Sequence, residues 1–150
     1  MTFKYKDIKF IIHQSVLDGL NEFRQTGNKF ESGGIILGSI FNDRIEILKF
    51  SIPTPFDKCN RFGFVRDKKS AKLFIDYEFI NSRGKIVYLG EWHTHPEDYP
   101  TPSNQDNKMI KEQYKVNIYD ANFVLMLILG RKGIYLGAFE GKLLISLINE

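Results

Sequence analysis

Residues 93–106 constrain the architecture of this chain more than any other stretch. They contain His93-Thr94-His95-Pro96, followed by Ser103 and Asp106. An apolar run from Lys85 to Trp92 leads into the first histidine. Two residues apart on a strand, His93 and His95 project to one face. The proline-rich segment from Pro96 to Pro102 then takes the chain out of the sheet as a loop. Ser103 opens a helix whose first turn contains Asp106, so that helix must fold back if the three side chains are to meet. Two imidazoles and one carboxylate, with a fourth position left open, form a ligand set typical of catalytic zinc. Ser-x-x-Asp ahead of a helix is also a capping arrangement. The two uses are compatible, since Ser103 can cap while Asp106 ligates.

Composition narrows the setting. A chain of 150 residues, 43% hydrophobic and 14% aromatic, reads as one ordered domain over 1–150. Cys59 is the only cysteine, which excludes an intrachain disulfide and any cysteine-framed zinc site. A metal here must use histidine and carboxylate. The net charge of +3 is too small to imply a nucleic-acid partner. The first residues carry no signal-peptide pattern, and the longest apolar run, Phe123 to Leu129, is too short to cross a bilayer. A cytoplasmic protein without a membrane partner is expected.

Periodicity predicts the remaining elements. Lys9 to His13 reads as a strand, and Ser15 to Thr26 as an amphipathic helix capped by Ser15, with Val16, Leu17, Leu20 and Phe23 on one face. Gly33-Gly34 allows a turn or a close approach of backbone. Ile35–Phe41 and Arg44–Ile52 form a hairpin around Asn42-Asp43, and Phe62–Val65 forms a short strand. Asp67 caps a helix through Ala71, Phe74, Ile75 and Phe79 that stops before Gly84. A helix over about 104–115 follows the histidines, and strands at Phe123–Leu129, Ile134–Phe139 and Leu143–Ile148 close the chain. Short turns between neighbouring strands predict a mixed, mostly antiparallel sheet covered by helices, an α/β (α+β) single domain.

Hydrolysis at such a metal also needs a proton acceptor. Glu31, at the entrance to a buried strand, is one candidate. Glu91, in phase with both histidines, is the other, either as base or as a partner orienting an imidazole. Ser103 offers a hydroxyl to a developing oxyanion. Trp92 alternates out of phase with the histidines and is expected in the core, whereas Tyr99 lies in a loop near the site. His13 and Cys59 have no neighbours that suggest chemistry.

The combination resembles a JAB/MPN domain with the JAMM motif: an upstream glutamate, then H-[ST]-H-P, a spacer, and S-x-x-D. Glu31, His93, Thr94, His95, Pro96, Ser103 and Asp106 fill every position. The resemblance implies a curved β-sheet flanked by helices around one Zn2+ per chain. It also implies His93, His95 and Asp106 as ligands, Glu31 as general acid/base, and Ser103 as a stabiliser of the tetrahedral intermediate. The implied reaction is cleavage of a peptide or isopeptide bond after the C-terminal residue of a ubiquitin-like modifier. Gly-Glu-Trp-His-Thr-His-Pro, Pro-Thr-Pro-Ser and Arg61-Phe62-Gly63-Phe64-Val65-Arg66 resemble the small bacterial branch found on integrative elements and in CBASS anti-phage operons. That branch implies a deconjugase acting on the C-terminal tail of a CD-NTase, a cyclic-oligonucleotide synthase, beside ubiquitin-activating-like and conjugating-like partners. The alternatives are a JAB hydrolase of small peptides or cysteine-linked metabolites, and a non-catalytic MPN scaffold.

Overall fold

The strand carrying the histidines lies mid-sheet in the computed structural model, which describes residues 1–116 and 122–150. The elements run β1 (Thr2–Tyr5), β2 (Ile8–Ile12), α1 (Gln14–Asn21), β3 (Gly33–Ile40), β4 (Arg44–Phe50), β5 (Lys58–Asn60), β6 (Gly63–Val65), α2 (Lys68–Asn81), β7 (Val87–Thr94), α3 (Asn104–Val116), β8 (Val124–Leu129), β9 (Ile134–Phe139), β10 (Leu144–Ser146) and β11 (Ile148–Asn149). Nine strands form one mixed sheet in the order β10-β9-β8-β7-β3-β4-β2-β1-β11, and β5 pairs with β6 as a separate hairpin. β7 runs antiparallel to β3 and parallel to β8.

Two apolar clusters lie on the two faces of the sheet. Val16, Leu17 and Leu20 of α1 pack with Ile36, Leu89, Trp92, Leu125 and Leu127 on one side. This cluster also takes Phe3 and Phe10 from one end of the strand order and Leu136 and Ala138 from the other, so the sheet curls around it. On the opposite face Ala71, Phe74 and Ile75 of α2 and Met109 and Ile110 of α3 pack with Ile35, Leu37, Tyr88, Met126 and Ile128. This is the helix-covered mixed sheet the sequence predicted. Among the described residues no helix is long and apolar enough to cross a membrane.

Several local expectations need correction. Residues 2–5, read as having no element, form β1, which pairs with β2 through a turn where Lys6 takes φ 54. Helix α1 begins at Gln14 with His13 at its N-cap and ends at Asn21, so Ser15 is not the cap. Phe23 still packs on the core beyond the helix end, which is why its spacing read as helical. Residues 57–61, polar and expected as loop, contain β5 at Lys58–Asn60. The single strand expected over 143–148 is two strands: β10 pairs with β9, and β11 pairs with β1 at the opposite rim. Asp67 caps α2 as expected, accepting from the Ser70 amide at 2.9 Å.

One irregularity sets the facing of the site. The register between β3 and β7 shifts between Ile36 and Leu37, opposite Tyr88 and Gly90. This bulge resets the alternation. Leu89 and Trp92, three residues apart, lie in the same cluster, and Tyr88 and Glu91, also three apart, meet on the other face. Gly90 lies against the Leu125 backbone, where any Cβ would overlap the carbonyl.

Candidate metal centre and active site

His93 occupies the end of β7 and His95 follows just past it, both nearly fully buried. Their Nε2 atoms are 3.1 Å apart. Asp106, in the first turn of α3, meets both rings: Oδ1 lies 3.0 Å from His93 Nε2 and Oδ2 lies 3.2 Å from His95 Nε2. The capping box holds that carboxylate. Ser103 N–H donates to Asp106 Oδ2 at 2.7 Å, and the Asp106 amide donates back to Ser103 Oγ at 3.1 Å. Ser103 therefore caps the helix while Asp106 reaches the histidines, so one residue pair serves both readings of Ser-x-x-Asp. Three ligand atoms on a tetrahedral zinc ion, each about 2.0–2.1 Å from the metal, stand roughly 3.3 Å from one another. The two nitrogens stand 3.1 Å apart, and each lies 3.0–3.2 Å from one oxygen of the Asp106 carboxylate, close to that spacing. Two imidazole nitrogens facing one another across a shared carboxylate converge on one point, so these residues fit a tetrahedral cation with an open fourth position.

Glu31 is drawn in by strand pairing. Gly33 pairs with His93, and Thr94 and Ser32 exchange bonds, Thr94 N–H to Ser32 O at 2.8 Å and Ser32 N–H to Thr94 Oγ1 at 2.9 Å. Continuing that register places Glu31 opposite His95. One ligand atom from each of Glu31, His93 and His95 lies within 4.8 Å of the others. The Glu31 amide donates to Asn60 O at 2.8 Å, which ties the segment to the β5–β6 hairpin. Gly33 lets it in: a Cβ there would meet the Phe64 ring at 2.5 Å and the Trp92 carbonyl at 2.7 Å. The diglycine thus serves close approach inside β3, not a turn.

The electrostatics follow from burial. Burial pushes the Glu31 carboxyl up from 4.5 to about 7, with His95 pulling it down and Asp106 pushing it further up. Burial also works against the charged form of Asp106, but hydrogen bonds from His93 and His95 outweigh it and hold the carboxyl well below the usual range. For His95, burial favours the neutral ring, while Asp106, Glu31 and Glu97 together raise its pKa.

Glu91 shares the face of His93, but its carboxylate is already engaged. Arg66 grips it in two places, at 2.8 and 2.9 Å, and Tyr88 OH donates to it at 2.6 Å. Trp92 is in the core, 1% exposed, with its indole N–H on Ser51 O at 2.9 Å. Tyr99 is exposed, its ring lying against Gly133. Cys59 is exposed on β5, and His13 bonds Glu46 at 3.1 Å, away from the site. Sequence reasoning assigned no structural role to three residues that hold the site together. Gln25, buried without a charge partner, donates to Arg61 O at 2.7 Å and Lys29 O at 3.1 Å and accepts from Thr94 Oγ1 at 3.3 Å. Thr94 holds the Glu31 segment, and Arg66 holds Glu91. A signal existed for Thr94, as the middle residue of the His pair, and for Arg66, as the end of the Arg61–Arg66 run, but not for Gln25.

A family model described as prokaryotic homologs of the JAB domain matches residues 13–137. A protein of Escherichia coli named CD-NTase/cGAS isopeptidase is 39% identical over 132 residues, covering 87% of this chain and 82% of that one. Proteins of the same name from Pseudomonas aeruginosa and Vibrio cholerae are 33% and 32% identical over 127 and 139 residues. The pairings cover 82% and 92% of this chain and 80% and 86% of theirs. A Desulfitobacterium hafniense protein solved in solution superposes with a TM-score of 0.67 at 15% identity, covering 91% of this chain and 88% of that one. It shares the fold.

Proposed function

The chain belongs to the prokaryotic JAB family, and on that premise we propose that it is a zinc-dependent isopeptidase of the bacterial cytoplasm. Its substrate in this reading is a protein joined through the C-terminal tail of a CD-NTase or ubiquitin-like modifier, and its partners are the activating-like and conjugating-like enzymes that make the conjugate. The names of the relatives at 32–39% identity support the substrate class. The observation that carries the chemistry is the triangle of His93, His95 and Asp106 with Glu31 beside it.

His93, His95 and Asp106 would hold Zn2+, which when bound polarises a carbonyl and lowers the pKa of a water to about 7. Glu31 takes a proton from the attacking water as the new C–O bond forms, and delivers it to the lysine amine as the C–N bond breaks. Its place beside the ligand set puts it within reach of that water, and burial makes its carboxyl a better proton acceptor than an exposed one. Ser103 Oγ already accepts the Asp106 amide hydrogen, so its own hydroxyl hydrogen is free to donate to the oxyanion. The tail must arrive extended. Every long strand of the main sheet is flanked on both sides, and the hairpin of β5 and β6 beside Glu31 is where an extended segment can pair by main-chain hydrogen bonds.

The test is cleavage of a target lysine-linked to the tail, measured together with metal content. Glu31→Gln should retain one zinc and lose about 10²–10⁴-fold in kcat. His93→Ala should lose both metal and turnover. A Glu31→Gln protein that cleaves as fast as wild type removes the mechanism.

A further inference from the structure

We infer that Arg66, through its paired contact with Glu91, is a positioning residue that sets the distance and angle between Asp106 and the two histidines. The inference rests on the metal reading above and assigns a role to a buried ionic cluster that the chemistry itself does not use. Arg66 follows β6 directly and its side chain is 14% exposed, against 6% for Glu91. Its Nε donates to Glu91 Oε2 at 2.8 Å and its Nη2 to Glu91 Oε1 at 2.9 Å. The same Nη2 donates to Gln113 Oε1 at 2.9 Å.

The cluster repeats the geometry of the metal site. β7 carries His93 and, two residues earlier on the same face, Glu91. α3 carries Asp106 and, two turns later on the same face, Gln113. The strand and helix are thus joined twice. One junction is His93 to Asp106 at 3.0 Å, and the other is Glu91 to Arg66 to Gln113. Ile110, fully buried, lies between the two junctions on α3. A single junction leaves a helix free to pivot about the contact; two fix its direction. The bidentate fork of Arg66 adds an angular constraint that a point charge lacks. Arg66 lies between β6 and Asp67, the cap of α2, so its contacts tie the end of the hairpin that Glu31 leans on to β7 and α3.

A buried ion pair of this kind is weak support for stability, because apolar residues of similar volume often stabilise a fold equally well. This separates positioning from mere stabilisation. Arg66→Met alone leaves the Glu91 carboxylate buried without its partner and should lower the urea midpoint. The triple variant Arg66→Met, Glu91→Met, Tyr88→Phe removes both charges and the tyrosine hydroxyl, leaves only the half-buried Gln113 amide, and should recover the midpoint. It should nonetheless bind Co2+, read from the absorption of the loaded protein, about 10–100-fold more weakly than wild type, the range seen when groups that orient metal ligands are lost. Its kcat should fall with it.

A triple variant that binds Co2+ with wild-type affinity overturns the inference and leaves the metal reading intact. A triple variant that stays destabilised also overturns it, since the cluster then acts through stability. Wild-type protein that binds no Co2+ removes the metal reading, and this inference with it.

Discussion

Replacing Glu31 with glutamine should make the metal-free protein more stable at neutral pH, even though it removes the proposed acid/base. Glu31 is 6% exposed, and burial raises its carboxyl from 4.5 to about 7. Below pH 4.5 it is protonated in both folded and unfolded chains and costs nothing. Between 4.5 and 7 the unfolded chain releases the proton while the folded chain keeps it, so stability falls as pH rises. Above 7 the folded carboxyl is ionised too, and the loss is complete. The gap between the two values corresponds to roughly 3 kcal/mol. Glutamine has no proton to lose and escapes this cost. Urea unfolding in the presence of a chelator, followed by Trp92 fluorescence at several values from pH 4.5 to 8, measures it. The variant and wild-type midpoints should nearly coincide at the acid end and differ by about 1 M urea at pH 8, with the variant higher. A difference that stays constant with pH would refute the reasoning, because the Glu31 carboxyl would then not be held in a desolvated site.

Two further changes probe the supports of the site. Gly90→Ala forces a Cβ into the Leu125 backbone beside the bulge, and should cost about 3 kcal/mol or more in denaturant unfolding. An alanine variant as stable as wild type would show that the strand spacing there can relax. Thr94→Val keeps the shape but removes the acceptor of the Ser32 amide and the donor to Gln25. It should cost roughly 1–3 kcal/mol and lower kcat while zinc affinity holds, measured by unfolding, metal titration and turnover.

What the sequence disclosed and what it hid divide along a physical line. Strand phase put His93 and His95 on one face and sent Trp92 into the core, because period-two alternation is a local property of backbone. The Ser103–Asp106 spacing and the Asp67 cap were legible for the same reason. The bulge at Leu89-Gly90 was not, since nothing in an apolar run marks where its register slips. The pairing of Arg66 with Glu91 spans 25 residues and depends on how the hairpin lands on the sheet. β1 escaped notice because only Phe3 among its four residues is buried, too little for an alternation signal. The run from Leu143 to Ile148 looks continuous, and only the curl of the sheet decides that its two halves pair with strands at opposite rims.

That curl has a consequence for selectivity. A single residue, Leu147, separates the strands that close the two rims, and its amide bonds Leu136 O at 2.9 Å. Among the described residues, the seam leaves the main sheet with no long, open border on which an extended chain can dock. If flexible tails are the substrate, as proposed, an open border would act as a decoy, sequestering tails far from any chemistry. In the proposed reading, the small hairpin next to Glu31 is then the place left for a tail to pair. In that reading, the architecture that encloses the core would also keep tails where they can be cut.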